Sequence, residues 1–90
     1  MPSRDVIKPQ VIQKIATVAE KPSEEIHEKD RLWEDLHMAP LLRKAMSKSY
    51  TRLAKKYEGG LPISMDEAEG LETVKASIDL VTKRANGDPE

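Results

Sequence analysis

Residues 57–81 read YEGGLPISMDEAEGLETVKASIDLV, and this stretch decides the fold. Gly59-Gly60 ends a preceding helix, because glycine readily adopts the left-handed conformation that follows a helix C-terminus. Ser64-x-x-Glu67 is a capping-box pattern, which opens a short helix. Thr73 then caps a last helix over about 74–85. The stretch therefore predicts a helix end, a short helix and a longer helix in succession.

Apolar residues recur at helical spacing before this stretch as well. They predict a first helix over about 6–20 and a second from Pro40 to about Tyr57, since proline is favoured in the first turn. For the same reason Pro9 should lie in the first turn of the first helix. The residues predicted to face the core are Ile7, Val11, Ile15, Leu36, Met46, Leu53, Ile63, Val74, Ile78 and Val81. The pattern predicts an all-α four-helix bundle with three long helices and one short helix.

A long first loop joins the first two helices. Such loops are uncommon in small domains and are often functional. We expect its apolar side chains to pin it to the core; they are Ile26, Leu32, Trp33 and Leu36. Partial exposure of Trp33 would instead mark a contact surface. Leu42, Tyr50 and Tyr57 are expected on the apolar stripe of the second helix.

The composition is that of one small globular domain. Ninety residues with 38% hydrophobic and 34% charged content are unlike a disordered chain. The predicted domain covers 6–85, between flexible ends at 1–5 and 86–90. The chain has no cysteine, which excludes disulfides and thiolate metal sites. With no apolar run near the ~20 residues of a membrane-spanning helix and no visible secretory signal, we expect a cytoplasmic protein without a membrane span.

Charge is segregated along the chain, although the net charge is only −1. Residues 20–35 carry seven acids against three bases, and residues 58–80 carry six acids against one base. Residues 37–57 between them carry six bases and no acid. These bases are the candidate partner-binding residues Arg43, Lys44, Lys48, Arg52, Lys55 and Lys56. A basic amphipathic helix can bind an anionic protein, membrane or nucleic acid. Alternatively, it is a solvated face that the chain's own acidic loop offsets.

The aromatic residues help to choose among these partners. Nucleic-acid binders interleave exposed aromatic side chains with basic ones. Tyr50 and Tyr57 instead lie on the predicted apolar stripe of the second helix. We therefore expect an acidic protein surface as the partner rather than nucleic acid, and a monomeric chain.

Catalytic and metal-binding patterns are weak. The candidate metal ligands are His27, His37, Glu28, Asp30, Glu34 and Asp35, and their spacing fits no recognised site. Asp5, Glu34 and Asp35 could act as acids or bases, but nothing supplies a nucleophile or a pocket. We predict no bound metal and no enzymatic activity.

Two parts of the chain together resemble the acyl carrier protein family. Glu34-Asp35-Leu36 is similar to the family's Glu-Asp-Leu-Gly, which leads into Asp-Ser-Leu. The family's Ile-Pro, Ala-Glu, Thr-Val and Ile-Asp have counterparts in the same order, which are Leu61-Pro62-Ile63, Ala68-Glu69, Thr73-Val74 and Ile78-Asp79. The resemblance spans roughly residues 6–83. It implies an acyl-carrier-like bundle with that family's long first loop.

The chain departs from the family at its modification site. There the serine of Asp-Ser-Leu carries the phosphopantetheine arm, whereas here Ala39-Pro40-Leu41 occupies the position and His37 replaces the usual glycine. Proline has no nucleophile, so Pro40 predicts that no cofactor is attached. The segment from Leu36 to Tyr57 is also a few residues longer than in the family.

The second helix also inverts the family's charge. It is acidic in the family and docks onto basic patches of partner enzymes, which a basic helix would repel. With these departures, the resemblance implies a non-catalytic interaction module, linked to lipid or polyketide metabolism by fold alone. One alternative is a genuine carrier modified at a displaced serine, for which Ser47 and Ser49 are the nearest candidates. Another is a small basic-helix binder of nucleic acid or anionic surfaces.

Overall fold

The computed structural model describes residues 2–90, and this part of the chain contains four α-helices and no strand. They are α1 at Arg4–Ala19, α2 at Pro40–Ala54, α3 at Met65–Glu69 and α4 at Val74–Ala85. A short 3₁₀ turn at Ser23–Glu25 lies in the loop between α1 and α2. The prediction of an all-α fold with three long helices and one short one is confirmed.

The start of α1 differs from the prediction by two residues. Ser3 caps the helix, because its side-chain oxygen accepts a hydrogen bond from the Val6 N–H. Pro9 therefore lies in the second turn, and the prediction that it marks the first turn is wrong. Its ring removes the hydrogen bond to the carbonyl of Asp5. Both residues are exposed, so water can satisfy that carbonyl.

The end of α2 is also corrected, since the helix stops at Ala54 rather than near Tyr57. The chain turns there and crosses the end of α2 at very close range. A Cβ atom on Gly60 would lie 2.0 Å from the Ala54 carbonyl oxygen, so only glycine fits. Gly59 supplies the left-handed backbone of the turn, with a φ of 82°.

The last two helices begin at the N-caps that the sequence predicts. Ser64 accepts a hydrogen bond from the Glu67 N–H, and the Glu67 carboxylate accepts one from the Ser64 N–H. Thr73 caps α4 by accepting a hydrogen bond from the Ala76 N–H at 3.0 Å. Each cap satisfies backbone donors that have no partner within their own helix.

The core lies where α2 packs on α3 and α4 and where α1 packs on α4. All ten residues predicted to face it are buried. Met38 from the long loop and Tyr50 from α2 complete it. Leu42, predicted on the apolar stripe of the second helix, is instead 38% exposed.

The prediction that Trp33 packs on the core is wrong. Its side chain is 51% exposed, whereas Ile26, Leu32 and Leu36 are buried as expected. Residues 31–36 form a turn in which the Leu36 N–H donates to the Arg31 carbonyl oxygen at 3.1 Å. Side chains four residues apart share a side of such a turn, so Leu32 and Leu36 both face inward. Trp33, one residue after Leu32, faces outward.

The two ends of the chain lie close together. The Asn86 side-chain amide donates to the Pro2 carbonyl oxygen at 2.9 Å. The Arg84 guanidinium donates to the Asp88 carbonyl oxygen at 3.0 Å, within the tail that was predicted to be flexible. Met1, in the other predicted flexible end, lies outside the described residues.

Ion pairs fasten the long loop to the helices. Glu28 from the loop pairs with Arg4 at 2.6 Å and with Lys8 at 2.8 Å, both on α1. Arg4 also pairs with Asp79 on α4 at 2.6 Å. The hydrogen bond from Arg4, and then that from Lys8, lowers the pKa of Glu28 to about 2. Glu28 is therefore ionised wherever the protein is folded at ordinary pH.

Acid should weaken this attachment, and Glu28→Gln provides the test. The pKa of Glu28 falls from an ordinary 4.5 to about 2 on folding, so the unfolded chain takes up this proton first. The contribution of ionised Glu28 to the free energy of unfolding is complete above about pH 4.5 and is lost as the pH falls towards 2. In urea unfolding at pH 6, 4 and 3, the stability difference between the parent and the variant should shrink with acid. A difference that does not change with pH would contradict the role of this ion pair.

Candidate functional site

Four of the six predicted partner-binding bases share one side of α2 and the residue that follows it. At ~100° per residue they fall within an arc of about 80°. We call them the basic face, and they are Lys44, Lys48, Arg52 and Lys55. Lys48, Arg52 and Lys55 are exposed, whereas Lys44 is half-buried.

The other two bases are engaged within the protein. Arg43 donates from Nη1 to the Met38 carbonyl oxygen at 2.8 Å and from Nε to the Glu69 carbonyl oxygen at 3.1 Å. It thus joins the start of α2 to the end of α3. Lys56 Nζ donates to Gln10 Oε1 on α1 at 2.8 Å. Arg43 and Lys56 therefore stabilise the fold. Arg43 lies apart from the basic face, whereas Lys56 lines one shallow groove together with Lys48, Arg52 and Lys55.

Within residues 2–90 the basic face has no carboxylate partner. None of the six bases of residues 37–57 forms an ion pair in the part of the chain that the structure describes. Three acids of the long loop pair elsewhere: Glu28 with α1, and Glu34 and Asp35 with Arg31 inside the loop. Over residues 2–90 no acid of the loop pairs with the basic face, which argues against its offsetting that face. A local positive potential results, despite the net charge of −1.

The residues relevant to a prosthetic arm lie beside the basic face. Pro40 is exposed at the first position of α2. Ser47 is buried, with 7% exposure, and Ser49 is half-buried inside the helix. A modifying enzyme needs an accessible hydroxyl, so Ser47 is a poor candidate for a modification site.

The candidate catalytic and metal-binding residues do not converge. His27 and His37 are both exposed, and over residues 2–90 no three histidines or carboxylates are placed to hold a metal ion. Asp35 accepts hydrogen bonds from the backbone and side chain of Arg31, which hold the pKa of its carboxyl below the usual range. That the chain binds no metal and has no enzymatic activity remain predictions. No helix between residues 2 and 90 has the length and apolar character to cross a membrane.

One surface feature was not predicted from the sequence. A groove of about 470 Å³ lies between the long loop, the start of α2 and the connection from α3 to α4. We call it the Trp33 groove, and its lining comprises Arg31, Trp33, Glu34, Pro40, Arg43 and residues 69–73. The only sequence signal was a tryptophan in a charged loop, which is equally typical of a core anchor.

The basic face and the Trp33 groove are thus two separate surfaces of one small bundle. The first consists of bases only, whereas the second is lined by a tryptophan together with acids and bases. Comparison of the chain with protein-family models, with curated proteins and with solved structures found no match.

Proposed function

We propose that this chain is a non-catalytic interaction module that binds an acidic protein surface through the basic face. Four bases share one side of α2 and the residue that follows it, and none of them has a carboxylate partner within residues 2–90; this observation carries the proposal. Like charges held together in this way repel one another, and an acidic partner relieves that repulsion. Such complementarity mainly raises the association rate and selects the partner.

An acyl-carrier-like arrangement of the bundle is part of the proposal. It is supported by the helix order long, long, short, long, with a long first loop. Pro40 stands at the first position of α2, where that family's serine is expected. His37 has a left-handed φ of 58°, which suits the glycine that the family has there. A link to lipid or polyketide metabolism rests on this likeness alone.

The chain is expected to keep its mass when incubated with coenzyme A and a broad-specificity phosphopantetheinyl transferase. Pro40 offers no nucleophile and Ser47 is buried. Intact-mass spectrometry, with a conventional acyl carrier protein as positive control, checks this. Stoichiometric addition of the arm would support the alternative of a genuine carrier. The double variant Ala39→Asp/Pro40→Ser should also be modified poorly, because the basic face opposes the usual transferase contact.

Charge reversal on the basic face tests the proposed function. Lys48→Glu/Arg52→Glu should weaken binding to a labelled deca-glutamate peptide by about tenfold or more, measured by fluorescence anisotropy. Higher salt should weaken binding to the parent as well. Lys14→Glu/Lys21→Glu is the matched control, because it changes net charge equally at exposed positions elsewhere.

Two outcomes would contradict the proposal. If the two double variants bind equally, the attraction comes from net charge and the basic face is only a solvated surface. If a short DNA duplex binds far more tightly than the peptide, with steep salt dependence, the nucleic-acid alternative is favoured. Burial of Tyr50 leaves little exposed aromatic surface on α2 for that alternative.

A further inference from the structure

The indole of Trp33 is exposed on a backbone that is held in place. The Leu32 N–H donates to the Glu72 carbonyl oxygen at 2.8 Å, and the His37 N–H donates to the Trp33 carbonyl oxygen at 2.9 Å. Leu32 itself is 2% exposed, whereas Trp33 is 51% exposed. The loop therefore presents a large aromatic side chain without needing to reorganise. Tryptophans in such positions are frequent energetic centres of protein interfaces.

The charge around this indole is negative. Three glutamates line the Trp33 groove, namely Glu34, Glu69 and Glu72, against two arginines. Arg31 is paired with Asp35 at 3.3 Å, and Arg43 donates to two backbone carbonyl oxygens. Both guanidinium groups are thus engaged within the protein.

Two of the glutamates are free to meet a ligand. Over residues 2–90, the side-chain carboxylates of Glu69 and Glu72 make no ion pair and no hydrogen bond. Glu69 is the last residue of α3 and Glu72 lies on the connection from α3 to α4, and both line the groove. Two unpaired carboxylates beside an exposed aromatic face, in a lining whose acids outnumber its bases by three to two, suit a cation.

We propose that the Trp33 groove binds a basic segment of a partner protein, with an arginine side chain stacked on the Trp33 indole and paired with Glu69 or Glu72. Arginine fits best because its planar guanidinium both stacks on aromatic rings and pairs with carboxylates through two hydrogen bonds. The volume of about 470 Å³ lies within the ~300–1,000 Å³ of typical ligand pockets, enough for one or two side chains. An acidic or uncharged segment would leave the carboxylates without a partner.

This surface is separate from the basic face and has the opposite charge. The module would therefore recognise acids with one surface and bases with the other. The inference goes beyond the proposed function, and either can fail without the other.

Trp33 is the only tryptophan of the chain, so its fluorescence reports directly on the groove. A blocked hexa-arginine peptide should produce a saturable change in the emission of the full chain. A hexa-citrulline peptide, which has nearly the same shape without charge, should produce none. Moderate salt should weaken the response.

Paired substitutions locate the binding. Glu69→Gln/Glu72→Gln should weaken hexa-arginine binding by about tenfold or more. Glu24→Gln/Glu25→Gln removes the same charge from exposed residues outside the groove and should change it little. Trp33→Ala, followed with a labelled peptide, should weaken binding similarly while the helical circular dichroism stays unchanged.

Three outcomes would overturn the proposal. One is an equal response to the citrulline peptide, and another is an equal loss of affinity in the Glu24/Glu25 control. The third is Trp33 emission that changes with protein concentration alone, together with sedimentation as a dimer that Lys48→Glu/Arg52→Glu abolishes. That result would place the basic face of a second copy in the groove instead of a partner protein.

Discussion

Gly60→Ala is expected to destabilise the protein by about 4 kcal/mol or more, enough to unfold it. The added Cβ would lie 2.0 Å from the Ala54 carbonyl oxygen and 2.7 Å from its carbon, and both are backbone atoms of α2. No side-chain rotation can relieve such a clash. The chain would have to move away from α2, which would break the Leu61 N–H bond to the Arg84 carbonyl oxygen. It would also separate the Thr51 hydroxyl from the backbone of Ile63.

Two other glycines provide the controls. At Gly59 no atom of residues 2–90 lies within 4 Å of an added Cβ, but its φ of 82° is left-handed, so alanine there should cost about 1–2 kcal/mol. At Gly70 the nearest atom would lie at an ordinary 3.5 Å, so alanine should be close to neutral. Urea unfolding should therefore rank the costs as Gly60, then Gly59, then Gly70. If Gly60→Ala is as mild as Gly70→Ala, the close crossing over α2 is wrong.

Leu53→Ala and Ile78→Ala should each cost about 2–5 kcal/mol. Leu53 is 2% exposed on α2 and Ile78 is fully buried on α4, so each substitution leaves a cavity in the core. Small domains are stable by only about 5–15 kcal/mol, so either variant could be largely unfolded at 37 °C.

Leu41→Ala is the matched control for these core substitutions. It removes the same atoms as Leu53→Ala from the same helix, but Leu41 is 78% exposed. Its effect on stability should stay within about 0.5 kcal/mol. Equal melting temperatures for Leu41→Ala and Leu53→Ala would show that the inward face of α2 has been misassigned.

The parts of the fold that sequence predicts best are those set by near neighbours. The Ser64–Glu67 capping box and the Thr73 cap join atoms within three residues, so their pattern is visible in the sequence. The start of α1 is set by the cap at Ser3, so the position of Pro9 alone predicts a start that is two residues too late. The end of α2 depends on how closely the following chain passes Ala54, which no local pattern reveals.

The same distinction applies to the surfaces. Bases four residues apart, such as Lys44, Lys48 and Arg52, predict a shared helix face. Arg43 and Lys56 belong to the same run of bases, but they bond to residues 26 and 46 positions away. Only the tertiary structure shows that they are engaged. The exposure of Trp33 likewise depends on which residues of its turn face the core.

A two-dimensional NMR titration of the full chain with the deca-glutamate peptide tests the proposed function most directly. Saturable shifts should concentrate at the backbone amides of the basic face, which are those of Lys44, Lys48, Arg52 and Lys55. They should disappear at high salt and in Lys48→Glu/Arg52→Glu. If these amides do not move, or if the shifts are equally large around exposed lysines such as Lys14 and Lys21, the basic face is not a binding surface.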